Sequence, residues 1–215
     1  MQKKEGQDGL QEVQKTYGAS EGGMTAFDRD LDNLAQYTGC TACVVMVTPQ
    51  HIICANVGDS RSILVTGGKV VGLSEDHKPN NLAEKKRIVA AGGQVKDNRV
   101  TGGLHISRCL GDFDYKENKF KSFKDQMVTC DPDIVSFPRC PEDDFIVLAC
   151  NGIWESLGND KCAEAFQKLE KEQAEHEKTS KLVENLFDDL LCKDILDAPD
   201  KGADNMTCIF VKFKH

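Results

Sequence analysis

The sequence predicts an α+β domain, with two antiparallel β-sheets face to face and helices outside them. Three observations carry that expectation. Residues 41–73 hold four short runs rich in β-forming residues, separated by tight-turn signals. Residues 145–150, FIVLAC, form an uninterrupted apolar run of strand length, the pattern of a strand buried on both faces. The helical patterns are grouped between β blocks instead of alternating with single strands, which disfavours a doubly wound sheet.

The elements follow in order. Residues 1–23 are polar and Gly-rich and read as a flexible leader, so the domain proper is 24–215. Met24, Phe27, Leu31 and Leu34 fall on one face of a helix that Gly39 stops. Residues 41–48 (TACVVMVT) make a strand, Pro49-Gln50 turns the chain, and 51–57 (HIICANV) return. Gly58-Asp59-Ser60 breaks that strand and 61–65 continue it. Thr66-Gly67-Gly68-Lys69 is a hairpin turn into 70–73. Four strands on tight turns predict one antiparallel meander.

Asn80 or Asn81 caps a helix that runs through Ala91 and ends at Gly92-Gly93. Residues 94–101 are extended, and 102–116 read as a structured loop or a single helical turn. Residues 116–126 carry Lys116, Lys119, Lys121 and Lys124 with Phe120 and Phe123, a composition that suits a solvated loop. Residues 134–137 form an edge-like strand closed by Pro138. One helix opens at Asp160 with Cys162, Phe166 and Leu169 inward, and residues 170–178 are its charged tail. A second shows Leu182, Leu186 and Leu190 at spacing four, with Val183, Phe187 and Leu191 beside them. Residues 197–202 loop into a last strand at 206–213.

Composition narrows the function. At 215 residues one domain with a real core is the simplest reading. A formal net charge of −8 argues against nucleic acid as a partner. No apolar run approaches the ~20 residues of a membrane helix. The first residues lack an apolar signal core, so an intracellular, cytoplasmic protein is expected. Ten cysteines then read as reduced, packed thiols, and Cys54, Cys150 and Cys208 sit inside apolar runs. Cys40 and Cys43 form the only C-x-x-C. In a strand they would point to opposite faces and serve zinc poorly.

Two stretches have the look of a site. Asn151-Gly152 ends the apolar run 145–150, and Asp204-Asn205-Met206-Thr207 leads into the apolar strand 208–211. A polar residue thus closes one buried strand and an acid opens another. Asn-Gly taken alone is a hairpin turn. Among the other polar residues, Arg61 reads as a structural ion-pair partner and His77 as part of a loop. His105 and Arg108 lie near Asp112, with surface and site-lining roles both open.

Several runs together resemble the metal-dependent serine/threonine protein phosphatases of the PPM type, or type 2C. They are Gly39-Cys40-Thr41-Ala42, Ala55-Asn56-Val57-Gly58-Asp59-Ser60-Arg61, Glu75-Asp76-His77-Lys78-Pro79, Ala91-Gly92-Gly93 and Arg99-Val100-Thr101-Gly102-Gly103-Leu104. Ser107-Arg108-Cys109-Leu110-Gly111-Asp112-Phe113, Leu148-Ala149-Cys150-Asn151-Gly152-Ile153-Trp154 and Asp204-Asn205-Met206-Thr207 complete the set. Each is weak alone, but the order and spacing are jointly specific. The resemblance covers the later two-thirds of the family domain. It implies a PPM-type sandwich without its N-terminal strands, and a binuclear Mn²⁺ or Mg²⁺ centre at one end. It also implies hydrolysis of phosphoserine and phosphothreonine by a metal-bridging water.

Carried over residue by residue, the metal site is incomplete. Asp204 matches the acid of the family's DN(M/I) motif. Asp112 matches the acid that the family links to a further, weaker metal. Asn151 stands where the family has an acid before Gly-Ile-Trp. The DGH-G motif, whose acid holds the metals, is missing, as are the earlier acidic ligand and the phosphate-binding arginine. Turn chemistry is the alternative role for Asp204 and Asp112. Changes beyond the direct ligands already cost ~10–100-fold in metal affinity, so a lost ligand charge and a lost bridging acid should prevent a binuclear centre. At most one weak ion is expected.

The expectation is therefore a pseudophosphatase that serves as a binding or structural subunit. The alternative is an active Mn/Mg-dependent phosphatase whose missing part comes from another chain or an upstream segment. Missing strands would leave open sheet edges, so a protein partner or self-association is expected to cover them. The lysine loop falls where the family has a flap, a candidate substrate or partner loop for an acidic chain.

Overall fold

The computed structural model of the protein describes residues 35–173, 178–192 and 202–214. The expected leader, the helix from Met24, residues 174–177 of the charged tail and most of the loop at 197–202 lie outside the described residues.

In chain order the strands begin with β1 (Gly39–Cys40), β2 (Ala42–Val47), β3 (His51–Val57), β4 (Arg61–Thr66) and β5 (Lys69–Gly72). Helix α1 (Leu82–Ala90) precedes three two-residue strands, β6 (Val95–Lys96), β7 (Arg99–Val100) and β8 (Leu110–Gly111). Then come β9 (Asp133–Pro138), β10 (Asp143–Ala149), the single turn α2 (Asn151–Trp154), α3 (Asn159–Glu172), α4 (Ser180–Leu190) and β11 (Cys208–Lys212). Two sheets dominate, one ordered β2-β3-β9 and the other β11-β10-β4-β5, with all pairings antiparallel. This is the α+β sandwich the sequence predicts.

The meander is a correction. β3 pairs with β9 and β4 pairs with β10, so the hairpins β2–β3 and β4–β5 belong to different sheets. Gly58, at φ 114°, carries the chain across. A Cβ there would lie 2.4 Å from Cγ2 of Thr41, so the crossing depends on glycine. The physical reason is burial. Each hairpin has one apolar face, and stacking the faces lets Ile52 and Cys54 of β3 close on Leu64 and Ile146. A flat meander would leave both faces on one side.

β10 is the central strand of its sheet, with β4 and β11 on its two sides. The neighbours that the run 145–150 requires thus come from this chain. Its side chains alternate between two cores. Phe145, Val147 and Ala149 face α3 and α4, where they meet Cys162, Phe166 and Leu186. Ile146 and Leu148 face the other sheet. Phe166 stacks on Phe210 with ring centroids 4.7 Å apart, and Phe145 lies 5.0 Å from Phe210. Of the spacing-four leucines, Leu182 and Leu186 are buried and Leu190 packs at the margin, while Leu191, expected beside that face, is exposed because the helix ends at Leu190 and the chain there turns extended.

Helix α1 covers a smaller cluster of Ile88, Val100, Cys109 and Val128. Asn81 occupies its N-cap position, but its side chain donates to the Asp76 carbonyl at 2.7 Å and makes no cap bond. The expected asparagine cap is thus replaced by a tie to the preceding loop. No helix among the described residues is long and apolar enough to cross a membrane.

Candidate functional site

β10 ends at Ala149, and the next turn of chain is helical. Asn151 is the first residue of α2, so the hairpin reading of Asn-Gly is corrected. The reason lies in Gly152. A Cβ on it would lie 2.3 Å from the Asn205 carbonyl oxygen and 3.4 Å from Cβ of Asp204. Glycine here lets the loop before β11 lie directly on α2. The Cys150 amide donates to the Thr207 carbonyl at 3.1 Å, and the Cys150 thiol to the Asn205 carbonyl at 3.3 Å. The Trp154 indole N–H donates back to the Ala149 carbonyl at 2.8 Å and locks the turn to the strand.

This packing brings Asn151 and Asp204 together. Nδ2 of Asn151 donates to Oδ2 of Asp204 at 3.0 Å and to Oε1 of Glu155 at 3.3 Å. The other oxygen of Asp204 accepts the Asn205 amide at 2.7 Å. One carboxamide therefore sits between two carboxylates and offers each an N–H. Glu155 is the residue that sequence reasoning missed. It lies four residues after Asn151, the spacing that puts two side chains on one helical face, and that was the available signal. Beside this constellation Cys43, Ser60, Cys150, Thr207 and Ile209 line a cleft of about 150 Å³.

Asp112 has a different setting. It is buried, and its backbone is left-handed at φ 49°. Oδ2 accepts the Cys109 thiol at 3.1 Å, and the Asp112 amide donates to the Thr38 carbonyl at 2.9 Å. Burial, with the adjoining carboxylate, pushes the Cys109 thiol up to about 12, so it stays protonated and donates. A Cβ on Gly39 would lie 2.1 Å from Oδ2 of Asp112. The side chain is packed against β1 and engaged in a turn.

The remaining polar residues form frameworks. Arg61 grips Asp76 with two bonds of 2.8 and 2.9 Å and reaches Asn159 at 2.8 Å. Nδ1 of His77 accepts the Gly58 amide at 3.0 Å, and Nε2 faces Asp133 at 3.1 Å. Arg108 binds Glu84 at 2.7 Å and Asp133 at 2.7 Å, which settles it as a framework residue, while His105 is exposed. Burial pushes the Glu84 carboxyl up, but Arg108, Ser107 and Arg87 outweigh it and hold it at about 2. Of the lysine loop, Lys116 turns inward onto the carbonyls of Cys109 and Gly111. Lys124 pairs with Asp131 at 3.0 Å. Lys119 is exposed and Lys121 half-buried, and between them Phe120 is 98% exposed.

Comparison with known proteins gives these residues a family. The family model described as "Protein phosphatase 2C" matches residues 2–193, a span that includes Asp112 and Asn151 and stops before Asp204. Probable protein phosphatase 2C 21 of Arabidopsis thaliana is 40% identical over 177 residues, which is 82% of this chain and 48% of that protein. Protein phosphatase ppm-1.G of Caenorhabditis elegans is 43% identical over 176 residues, 82% of this chain and 35% of that protein. A phosphatase structure from Toxoplasma gondii superposes with a TM-score of 0.65 at 28% identity, covering 76% of this chain and 48% of that one. The chain spans about half the length, or less, of these curated relatives. With a family model matched over most of its length, this chain belongs to the protein phosphatase 2C family.

Proposed function

We propose that this chain is a pseudophosphatase, a phosphatase domain that binds partners or supports an assembly and does not hydrolyse phosphoproteins by itself. The observation that carries the reading is the Asn151 carboxamide donating to Asp204 and Glu155. Mn²⁺ and Mg²⁺ need converging oxygen acceptors, mostly charged. At this position the chain presents N–H donors, and one of the two neighbouring carboxylates also accepts its own loop amide. Among the described residues no three His, Cys, Asp or Glu side chains converge as a metal would require. Asp112 is tied to Cys109 and packed on Gly39. These residues do not fit a binuclear centre, and no hydrolytic step is assigned to them.

A second reading stays tied to one observation, the coverage of only about half of each relative. In that reading the chain is part of an active Mn/Mg-dependent serine/threonine phosphatase, with the remaining ligands supplied from outside this sequence. Asn151 counts against it, because added length does not restore that charge. The exposed Lys119 and Phe120 suit an acidic, partly apolar protein surface. Ten free thiols support a reducing, cytoplasmic location.

Calorimetric titration with Mn²⁺ separates the readings. The pseudophosphatase should bind at most one ion, with a dissociation constant in the ~mM range. Two tight sites would contradict it.

A further inference from the structure

The C-x-x-C pattern ties Cys43 to Cys40, but the fold gives Cys43 a different partner. Cys40 lies on β1, which pairs with β8, and it is exposed. Cys43 lies on β2 opposite Asn56 of β3, and Cys54 is the next residue of β3 on the same face. The two thiols are therefore diagonal neighbours. That face is the inter-sheet core, where Cys54 is fully buried and Cys43 sits at the margin. The Cys54 thiol donates to the Cys43 sulfur. The Ser74 hydroxyl donates to the same sulfur, while its oxygen accepts the Ser62 amide at 3.0 Å. Cys43 also lines both the cleft of about 150 Å³, with Ser60 and Cys150, and a groove of about 270 Å³, with Val45 and Val47. The Cys54 bond, helped by Ser74, holds the Cys43 thiol below its ordinary value against burial and the Asp76 charge. The same bond, with burial, pushes the Cys54 thiol far up. A reachable thiol of lowered pKa, with a second thiol in contact behind it, is the arrangement that peroxide oxidises selectively.

We propose that Cys43 and Cys54 form an oxidation site for hydroperoxides and close into a reversible disulfide between β2 and β3. The Cys43 thiolate attacks one peroxide oxygen and the O–O bond breaks. Sulfur becomes a sulfenic acid, and the departing hydroxide or alkoxide takes a proton from water. That step removes the charge that held the Cys54 proton. The Cys54 sulfur then attacks the Cys43 sulfur, the S–O bond breaks, and hydroxide leaves with the Cys54 proton as water. One peroxide accepts two electrons, and the two thiols supply them. Cys150 shares the cleft but is engaged, because its thiol donates to the Asn205 carbonyl at 3.3 Å and its sulfur accepts the Thr207 amide at 3.2 Å. Diagonal residues stand about 7–8 Å apart, whereas a disulfide prefers Cα atoms ~5.5–6 Å apart. Closing the bond therefore draws β2 along β3. A disulfide made against the sheet register is strained, so small thiols such as glutathione reduce it readily. The inference stands apart from the pseudophosphatase reading, since neither thiol is among the partners of Asn151 and Asp204.

Disulfide mapping on the full chain tests it. The reduced protein is treated with equimolar hydrogen peroxide near neutral pH, and the remaining thiols are blocked. Thermolysin then cuts between the two cysteines, at the aliphatic residues of 44–53. Mass spectrometry should find Cys43 joined to Cys54 as the main product, and excess glutathione should reverse it. Cys54→Ala should stop the reaction at the Cys43 sulfenic acid, so that dimedone labels Cys43 at least ~10-fold more than in the parent. Cys54→Val replaces it if the first variant melts early, and the mapping on the parent needs no variant. Three results would each overturn the proposal. One is a first disulfide from Cys43 to Cys40 or Cys150. Another is oxidation of the exposed Cys40 and Cys130 with Cys43 left reduced. The third is a folded Cys54 variant in which dimedone passes over Cys43. None of these readouts depends on phosphate hydrolysis.

Discussion

Asn151 donates its carboxamide to Asp204 at 3.0 Å, across a contact that only a glycine at position 152 permits. The same carboxamide reaches Glu155 at 3.3 Å. An acid in that position would place three carboxylates within mutual reach, a cluster that needs a cation. The amide satisfies the two remaining acids by hydrogen bonding, and the turn is stable without one.

Asn151→Asp should therefore trade stability for metal affinity. Losing two N–H donors and gaining a third negative charge should cost about 1–2 kcal/mol in metal-free buffer at low salt. Millimolar Mn²⁺ should restore the loss in the variant and leave the parent chain nearly unchanged. Thermal unfolding with and without Mn²⁺ reads both effects. Equal metal responses in the two proteins would show that Asn151 is not what excludes the ion.

Gly152→Ala probes the support of the same site. The new methyl would meet the Asn205 carbonyl, which is backbone and cannot swing aside. A cost of about 1–3 kcal/mol is expected, with faster exchange of the Cys150 amide as the loop lifts from α2. Urea unfolding and exchange rates check the two parts separately.

The Glu84 carboxylate sets a pH signature. Its folded value is about 2, below the ordinary 4.5. A depressed folded value stabilises the native state above the unfolded value and loses that contribution as pH falls through the folded one. The contribution should be full above about pH 5 and fade toward pH 2, with a size on the order of 3 kcal/mol. Glu84→Gln should be less stable than the parent by about that amount at pH 7, and the difference should shrink across the same window. A gap that stays constant from pH 7 to pH 2 would rule out this assignment.

The aromatic trio anchors the sheet to its helices. Phe166 is fully buried and stacks on Phe210 at 4.7 Å. Phe166→Ala should cost about 3–5 kcal/mol in chemical denaturation, with α3 and α4 losing exchange protection before β4 and β10.

Much of this was legible in the sequence, and the pattern of success is physical. The run 145–150 announced a strand buried on both faces, because six apolar residues in a row leave no solvent face. The leucines at 182, 186 and 190 announced their helix face in the same way. Local patterning failed where the decision was not local. Nothing between residues 51 and 65 says that the strands on either side of Gly58 belong to different sheets. That follows from which apolar faces can close on each other across the whole domain. Asn151-Gly152 reads as a turn in isolation, and it becomes a helix start because the distant loop at 204–207 packs on it. Arg108 was open between surface and site because its partner Glu84 lies 24 residues away.

The central claim is that these residues do not make a working metal centre, and turnover tests it most directly. The purified chain would be assayed with a phosphothreonine peptide in Mn²⁺ and in Mg²⁺, beside Asp204→Ala. The account predicts no metal-dependent release of phosphate from either protein. Clear metal-dependent turnover by the parent chain, abolished in Asp204→Ala, would contradict it.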